Sequence, residues 1–413
     1  MALIQALRCP ICDRSYPPEQ VMYTCPACGQ VGTLAVLYDY PALKAQLDRD
    51  ALRVNAVRSM WRYRALLPLA PDSPAPPLRV GDTPLYETRR LASALGVARA
   101  WVKDDGQNPT GSLKDRASAL VVARALEQGI QVVSTASTGN AAAALAGVAA
   151  SVGLQTIIFV PATAPEAKIA QLLVYGATVL LVEDTYDVAF DLCYTLCQQE
   201  GWYCRNTGIN PYTVEGKKTV AYEIAEQLEW HLPDVVVVSV GDGNIIAGVY
   251  KGFYDLYQLG WIARIPRLIG VQAAGSAALV DAWQRGLRPE EMQPAEAETL
   301  ADSISAGLPR DRAKALQAVR QSGGAFVAVS DDEIVRAIPQ LARLSGVFAE
   351  PAAAAVFAGA QRAVQSLMID IHESVLLLAT GNGLKDVRRA QQSVSGGLRV
   401  PPDAAAIRKA LKR

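Results

Sequence analysis

The stretch KDDGQNPTGSLKDRAS, Lys103 to Ser118, decides how the rest of the chain is read. Asn108-Pro109-Thr110-Gly111 has the chemistry of a turn: proline presets its φ, and glycine allows the positive φ that other residues avoid. Beyond the turn, Ala117, Leu120, Val121 and Ala125 recur at helical spacing. The pattern places Lys114 at the start of a helix. There the positive end of the helix dipole and the neighbouring Arg116 disfavour an ammonium ion, and a lysine that loses its proton easily is one that forms Schiff bases. An ordinary surface lysine at a helix start satisfies the same local pattern.

Four further segments lie downstream. ASTGN (Ala136 to Asn140) follows the apolar run QVVST and precedes an alanine-rich helical pattern. NPYTVEGKKT spans Asn210 to Thr219, and ATGNGLKD spans Ala379 to Asp386 at the end of VLLLAT. VGDGN (Val240 to Asn244) joins an apolar run to the helical pattern IIAGVYKGFYDLY. In that loop Gly241 and Gly243 let backbone N–H groups converge where a helix begins, a place that favours an anion. Ser137, Thr138 and the amides around Gly139 make a second such place. Both features have plainer readings, as a connecting turn and as a helix cap.

Ser-Leu-Lys-Asp-Arg at 112 to 116 resembles the S-F-K-D-R motif of the threonine synthase family, and the four other segments resemble that family's motifs in the same order. The resemblance covers nearly the whole chain. It implies an α/β, two-domain, fold-type II pyridoxal-phosphate enzyme, tryptophan synthase β-like, with parallel-rich sheets covered by helices on both faces. Its implied cofactor, pyridoxal 5'-phosphate, is carried on Lys114. The cofactor phosphate would sit on Gly241, Asp242, Gly243, Asn244 and Ile245, with the Asp242 carboxylate pointing away or capping the helix. Asn140 would bond the ring hydroxyl oxygen, and Thr380 would meet the pyridine nitrogen; a plain strand-end threonine is the alternative. Lys103, Ser137, Thr138, Gly139 and Lys217 would bind substrate. The implied reaction converts O-phospho-L-homoserine and water into L-threonine and phosphate.

The chain departs from the family pattern in three places. The family commonly has an arginine in N-P-W-R-L-E-G-Q-K-T; Thr213 stands there, and Lys217 replaces the glutamine. ADSISAGLPR (Ala301 to Arg310) replaces the usual A-T-A-I-R-I-G-N-P, and the VGDGN loop is one residue shorter than G-N-A-G-N. These departures keep two other reactions in view: β-replacement on O-phosphoserine, as in cysteate synthase, and a serine/threonine ammonia-lyase. A noncatalytic binding protein is a further alternative, against which the intact Lys114 argues.

Seven cysteines divide into two groups. Cys9-x2-Cys12 and Cys25-x2-Cys28 have the spacing of two knuckles that hold one structural Zn2+. Cys193, Cys197 and Cys204 read as core residues. The two histidines, His231 and His372, fall outside every motif, so proton transfer is left to Lys114, the substrate phosphate or water. Basic and acidic residues balance at 40 each, which excludes a nucleic-acid footprint and leaves a small-molecule substrate. The start, MALIQALRCP, lacks the pattern of a signal peptide, and the uncharged run Ala141 to Val160 reads as helix plus strand rather than a membrane span. A cytoplasmic homodimer is expected.

Residues 1–40 are expected to form a zinc-ribbon-like module. The resemblance assigns 41–102 and 207–400 to a large cofactor domain, 103–206 to a small mobile domain and 401–413 to a tail. Pro41 to Leu66 reads as helical, and PLAPDSPAPP (Pro68 to Pro77) as an extended linker. The runs QVVSTAS, TIIFVP, ATVLLVE, DVVVVSV, RLIGVQA, AFVAVS and SVLLLAT alternate with helical patterns, the signature of a parallel sheet buried on both faces.

Overall fold

The structure is a computed structural model that describes residues 4–164 and 166–411. All seven apolar runs form strands, and they divide between two sheets. The larger has six strands, ordered Ala325–Val329, Arg267–Ala273, Val235–Ser239, Ser374–Ala379, Arg99–Asp104 and Leu85–Glu87. Every neighbouring pair is parallel except the last. The smaller sheet has four parallel strands, ordered Thr178–Val182, Gln155–Pro161, Val132–Ala136 and Tyr203–Cys204.

Helices explain the apolar strands. Val235 to Val238 are wholly buried because the Asn244–Gln258 helix covers one face of the larger sheet and the Pro351–Gln365 helix the other. The alanines of Pro351–Gln365 let that helix sit close: a side chain at Gly359 would meet the Val271 methyls at 2.2 Å. One strand departs from the expectation. Thr178–Val182 lies at a sheet edge, and Leu180 and Leu181 stay exposed.

The uncharged run from Ala141 to Val160 is divided between the helix Asn140–Ala150 and the strand Gln155–Pro161. Among the described residues no helix is long and apolar enough to cross a membrane. Pro41 to Leu66 is not one helix. It splits into Tyr40–Gln46 and two 3-10 turns, Asp50–Val54 and Met60–Leu66. The Arg62 guanidinium accounts for the break: it bonds the Leu52 and Asn55 carbonyls and the Glu226 carboxylate, serving peptide groups that a continuous helix would have paired itself. Nor is Pro68 to Pro77 a free linker. Leu69 and Ser73 are buried, and Glu127 accepts from the Ala70 amide at 2.8 Å.

The N-terminal segment is a ribbon of short antiparallel strands: Ile4–Arg8 between Ser15–Tyr16 and Ala35–Tyr38, with Thr24–Cys25 against Gly29–Thr33. It lacks a core of its own and shares the main one. Thr33 donates to Asp311 at 2.5 Å, Lys314 to the Leu34 carbonyl at 3.1 Å, and Cys204 N to the Tyr23 hydroxyl at 2.9 Å. Lys412 and Arg413, the last two residues of the tail expected at 401–413, lie outside the described residues.

Candidate active site

A cavity of about 680 Å³ opens at the carboxyl ends of strands from both sheets, where Ala136, Pro161, Ser239 and Thr380 line it. Open parallel sheets place ligands at such ends. Lys114 reaches the cavity from the first position of the Lys114–Glu127 helix, behind a turn in which Gly111 has φ +85°. Its pKa is lowered to about 8, first by burial and then by the Arg205 guanidinium, while Glu350 and Asp242 pull the other way. The cause is therefore not Arg116. That side chain is fully buried on the far side of the turn, paired with Asp105 and Glu223, each at 2.6 Å.

The loop Val240 to Asn244 forms one wall. Gly243 has φ +90° and begins the Asn244–Gln258 helix without a side-chain cap, so the amides of Asn244 and Ile245 have no intrahelical acceptor. Both neighbouring glycines are forced by packing: a Cβ at Gly241 would lie 2.9 Å from Ile304 Cα, and one at Gly243 would lie 2.6 Å from Ala315 Cβ. The Asp242 carboxylate turns to the Arg310 amide at 3.2 Å and does not cap the helix.

The opposite wall is Ser137, Thr138, Gly139 and Asn140, where the alanine-rich helix begins. Asn140 Nδ2 donates to Glu350 Oε1 at 2.8 Å. Thr380 and Ser239 place their hydroxyls 3.5 Å apart at the strand ends. Lys217 lines the cavity and donates to Asn244 Oδ1; burial, then Lys114 and Arg205, push its pKa well down. Thr213 is fully buried and faces inward, accepting from Asn244 Nδ2 at 3.1 Å and donating to the Asn210 carbonyl at 2.8 Å.

Lys103 is not brought to this cavity. Its strand neighbour Asp104 and its own side chain point to opposite faces, and its ammonium donates to Thr83 O at 2.6 Å, Glu223 at 2.8 Å and Gln227 at 2.9 Å. It belongs to a buried charge cluster with Arg116, Asp105 and Glu223. Two residues that motif reading missed stand close to Lys114. Glu350 is buried at the start of the Pro351–Gln365 helix, and its pKa is raised by burial. Arg205 is fully buried, with its pKa lowered to about 10 by burial. Its Nη1 donates to Thr207 Oγ1 at 2.9 Å and its Nη2 has no partner among the described residues. The only sequence signals were a Glu-Pro helix start and an arginine preceding Asn206.

In the ribbon, the four Sγ atoms of Cys9, Cys12, Cys25 and Cys28 lie within 4.8 Å of one another. Cys12 and Cys25 are 3.7 Å apart, and a tetrahedral ion at about 2.3 Å from each sulfur requires edges of roughly 3.8 Å. Gly29, at φ +64°, gives the second knuckle its turn.

Residues 77–381 match the family model for pyridoxal-phosphate dependent enzymes. Threonine synthase from Methanocaldococcus jannaschii is 38% identical over 98% of this chain and 99% of its own length. The enzyme of that name from Methanosarcina acetivorans is 40% identical over 98% of each. The chain belongs to the threonine synthase family of pyridoxal-phosphate dependent enzymes. Solved structures share the family's fold at lower identity. Diaminopropionate ammonia lyase from Escherichia coli superposes with a TM-score of 0.64 at 21% identity, covering 76% of this chain and 87% of its own. The processed threonine deaminase isoform 2 of Solanum lycopersicum gives 0.61 at 23%, covering 80% and 82%. Against the threonine synthase family pattern, the departures at Thr213 and at Ala301 to Arg310 now have a place: Thr213 is behind the cavity wall, and Asp302, Ser303 and Arg310 line it.

Proposed function

We propose that the protein is a pyridoxal-phosphate-dependent threonine synthase, converting O-phospho-L-homoserine and water into L-threonine and phosphate. One observation carries the reading: in a chain that aligns end to end with threonine synthases, Lys114 and two uncapped or glycine-led helix starts converge on a single cavity.

The residues present fit pyridoxal 5'-phosphate. The helix start at Asn244 and Ile245 offers free amides to its phosphate, and the cavity volume accommodates the ring with an amino acid. When bound, the cofactor supplies an electron-withdrawing ring that stabilises charge developing on substrate carbons. Lys114 holds the cofactor and, with a pKa near 8, takes up and returns protons at Nζ near neutral pH. Asn140, fixed by Glu350, would hold the ring hydroxyl side, and the neutral hydroxyl of Thr380, which lines the cavity, would face the ring nitrogen without giving it a charge. Ser137, Thr138 and the Gly139 amide receive the substrate carboxylate. Lys217 receives the substrate phosphate, whose negative charge restores the ammonium that burial disfavours. The part of residues 103–206 that carries the smaller sheet moves against 41–102 and 207–400 to close the cavity and exclude water, while Lys103 and Asp104 stay in the larger sheet, paired with Leu378 and Ala379.

One structural Zn2+ in the Cys9, Cys12, Cys25 and Cys28 cluster, and a cytoplasmic homodimer, complete the proposal; a reducing compartment suits four free ribbon thiols. A second reading, β-replacement on O-phosphoserine, is favoured by one observation: Thr213 offers no charged donor to a γ-phosphate. Incubating the holoenzyme with O-phosphohomoserine, O-phosphoserine or threonine, and measuring phosphate and amino-acid products, separates the readings. Phosphate and threonine from O-phosphohomoserine are expected. Turnover of O-phosphoserine alone would replace the proposal with the second reading.

A further inference from the structure

Most fully buried cations in this protein are paired. Lys103 meets Glu223 at 2.8 Å, Arg116 meets Asp105 at 2.6 Å, and Lys218 meets Glu215 at 2.5 Å. Arg205 and Lys217 are 0% and 1% exposed, and neither has a carboxylate within ion-pair distance among the described residues. They are also close enough for the Arg205 charge to bear on Lys217. An unpaired buried charge is costly, so two of them together mark the place of an anion.

The fold aims Arg205 at the cavity. The residue follows the strand Tyr203–Cys204, and its amide donates to the Ser134 carbonyl at 2.7 Å. Its side chain is held at two points. Nε donates to Ser118 Oγ at 3.2 Å, and Nη1 donates to Thr207 Oγ1 at 2.9 Å. Ser118 lies one turn after Lys114 on the same face of that helix, and Thr207 lines the cavity. A guanidinium is a planar fork, so fixing two nitrogens fixes the third. That third nitrogen, Nη2, is buried and has no partner. Asp115 and Asp242 act on Arg205 only from a distance; Asp115 is engaged with Thr110 and Asp242 with the Arg310 amide. The next residue repeats the pattern. Asn206 Oδ1 accepts from the Ala136 amide at 2.7 Å and from Thr135 at 3.0 Å, which sets the orientation of its amide group. Its Nδ2 is buried and likewise has no partner among the described residues.

The charge selects the kind of anion. With Lys114 committed to the cofactor, Arg205 and Lys217 remain as two cations, and a phosphate ester carries about −1.5 to −2 near neutral pH. A hydroxyamino acid without phosphate leaves both unmatched. We propose that Arg205 determines substrate specificity: with Lys217 it receives the phosphate of a phosphorylated amino acid, supplying the charged donor that Thr213 lacks. The assignment rests on the threonine synthase reading given above. The cofactor phosphate is served elsewhere, by the Asn244 and Ile245 amides, whereas Arg205 and Asn206 belong to the end of the smaller sheet, beside the Ser137 to Gly139 wall. Nη2 is shut off from solvent, so it meets phosphate once the smaller-sheet part shifts.

The test uses holoenzyme of the wild type, Arg205→Met and Arg205→Lys, with inorganic phosphate as the probe. Phosphorus NMR distinguishes the added ion from the cofactor phosphate and gives its dissociation constant. Arg205→Met removes the charge and keeps much of the volume. It should bind phosphate about ten- to a hundredfold more weakly and raise KM for O-phosphohomoserine by a like factor, with kcat changed less. Arg205→Lys keeps the charge without the fork and should fall between methionine and the wild type. Cofactor affinity, from equilibrium dialysis, and the visible spectrum should hold in both variants. Wild-type holoenzyme that binds no phosphate overturns the proposal, as does unchanged phosphate affinity in the variants. Loss of cofactor affinity in its place also overturns it, because the guanidinium then serves the cofactor phosphate. Should Arg205→Met fail to fold, Arg205→Lys decides by the same measurements. If the wild type does not turn over O-phosphohomoserine, the threonine synthase reading falls, and phosphate binding still decides the role of Arg205.

Discussion

Asn140 Nδ2 donates to Glu350 Oε1 at 2.8 Å, joining the start of a small-sheet helix to the start of a large-sheet helix across the cavity floor. A carboxylate that holds an amide fixes which way that amide faces. Glu350→Ala should therefore weaken pyridoxal-phosphate affinity by about ten- to a hundredfold, the loss expected for a hydrogen bond to a charged group of roughly 1.5–3 kcal/mol. Equilibrium dialysis of the cofactor checks it; unchanged affinity would remove Asn140 from the ring site.

Lys114→Ala should abolish both turnover and the visible absorption band of the holoenzyme. In the apo-protein the free amine is the reactive form. Since burial lowers its pKa to about 8, the rate of pyridoxal-phosphate capture should rise about tenfold per pH unit below that value and level off above it. An ordinary lysine would keep rising to beyond pH 10. Stopped-flow absorbance across pH 6 to 10 distinguishes the two.

Lys217→Gln should raise KM for O-phosphohomoserine by about ten- to a hundredfold while leaving the cofactor spectrum intact, because a charged hydrogen bond to phosphate is lost. Thr213→Arg should not restore affinity. Thr213 is enclosed by Asn210 and Asn244, and a longer side chain there would displace Asn244 from the cofactor wall. Steady-state kinetics of both variants test the assignment; an unaltered KM in Lys217→Gln refutes it.

Glu223→Gln should cost about 3–5 kcal/mol of stability, since it leaves Lys103 and Arg116 buried with one carboxylate, Asp105, between them. Denaturant unfolding of the apo-protein gives the number. A loss under 1 kcal/mol would mean that the cluster does little for the fold.

The ribbon should carry one zinc ion, and Cys25→Ser should release it, lower the midpoint of thermal unfolding and loosen the contacts of Thr33 and Tyr23 with the main core. Metal analysis of reduced protein checks the first statement and calorimetry the second. Metal retained in the variant would place it elsewhere.

Local chemistry by itself determined a good deal of this protein. Uniformly apolar runs such as VVVVS and VLLLA specify buried parallel strands, because only strands covered on both faces need no polar side. The turn before Lys114 and the paired Cys-x2-Cys knuckles were equally legible, since each is built from residues a few positions apart. Tertiary structure decided what depends on distant partners. Along the chain Lys103 looks like a site residue and Arg116 like a charge that bears on Lys114, yet Glu223 captures both, and only folding brings it to them. Glu350 and Arg205 carry no motif and reach Lys114 from other elements. The Pro68 to Pro77 segment reads as a linker because its own residues lack pattern; the carboxylate that pins it, Glu127, belongs to the helix after Lys114. Cys204 joins Cys193 and Cys197 for the same reason: sequence sets which groups exist, and the crossing of a helix and a strand sets which of them meet.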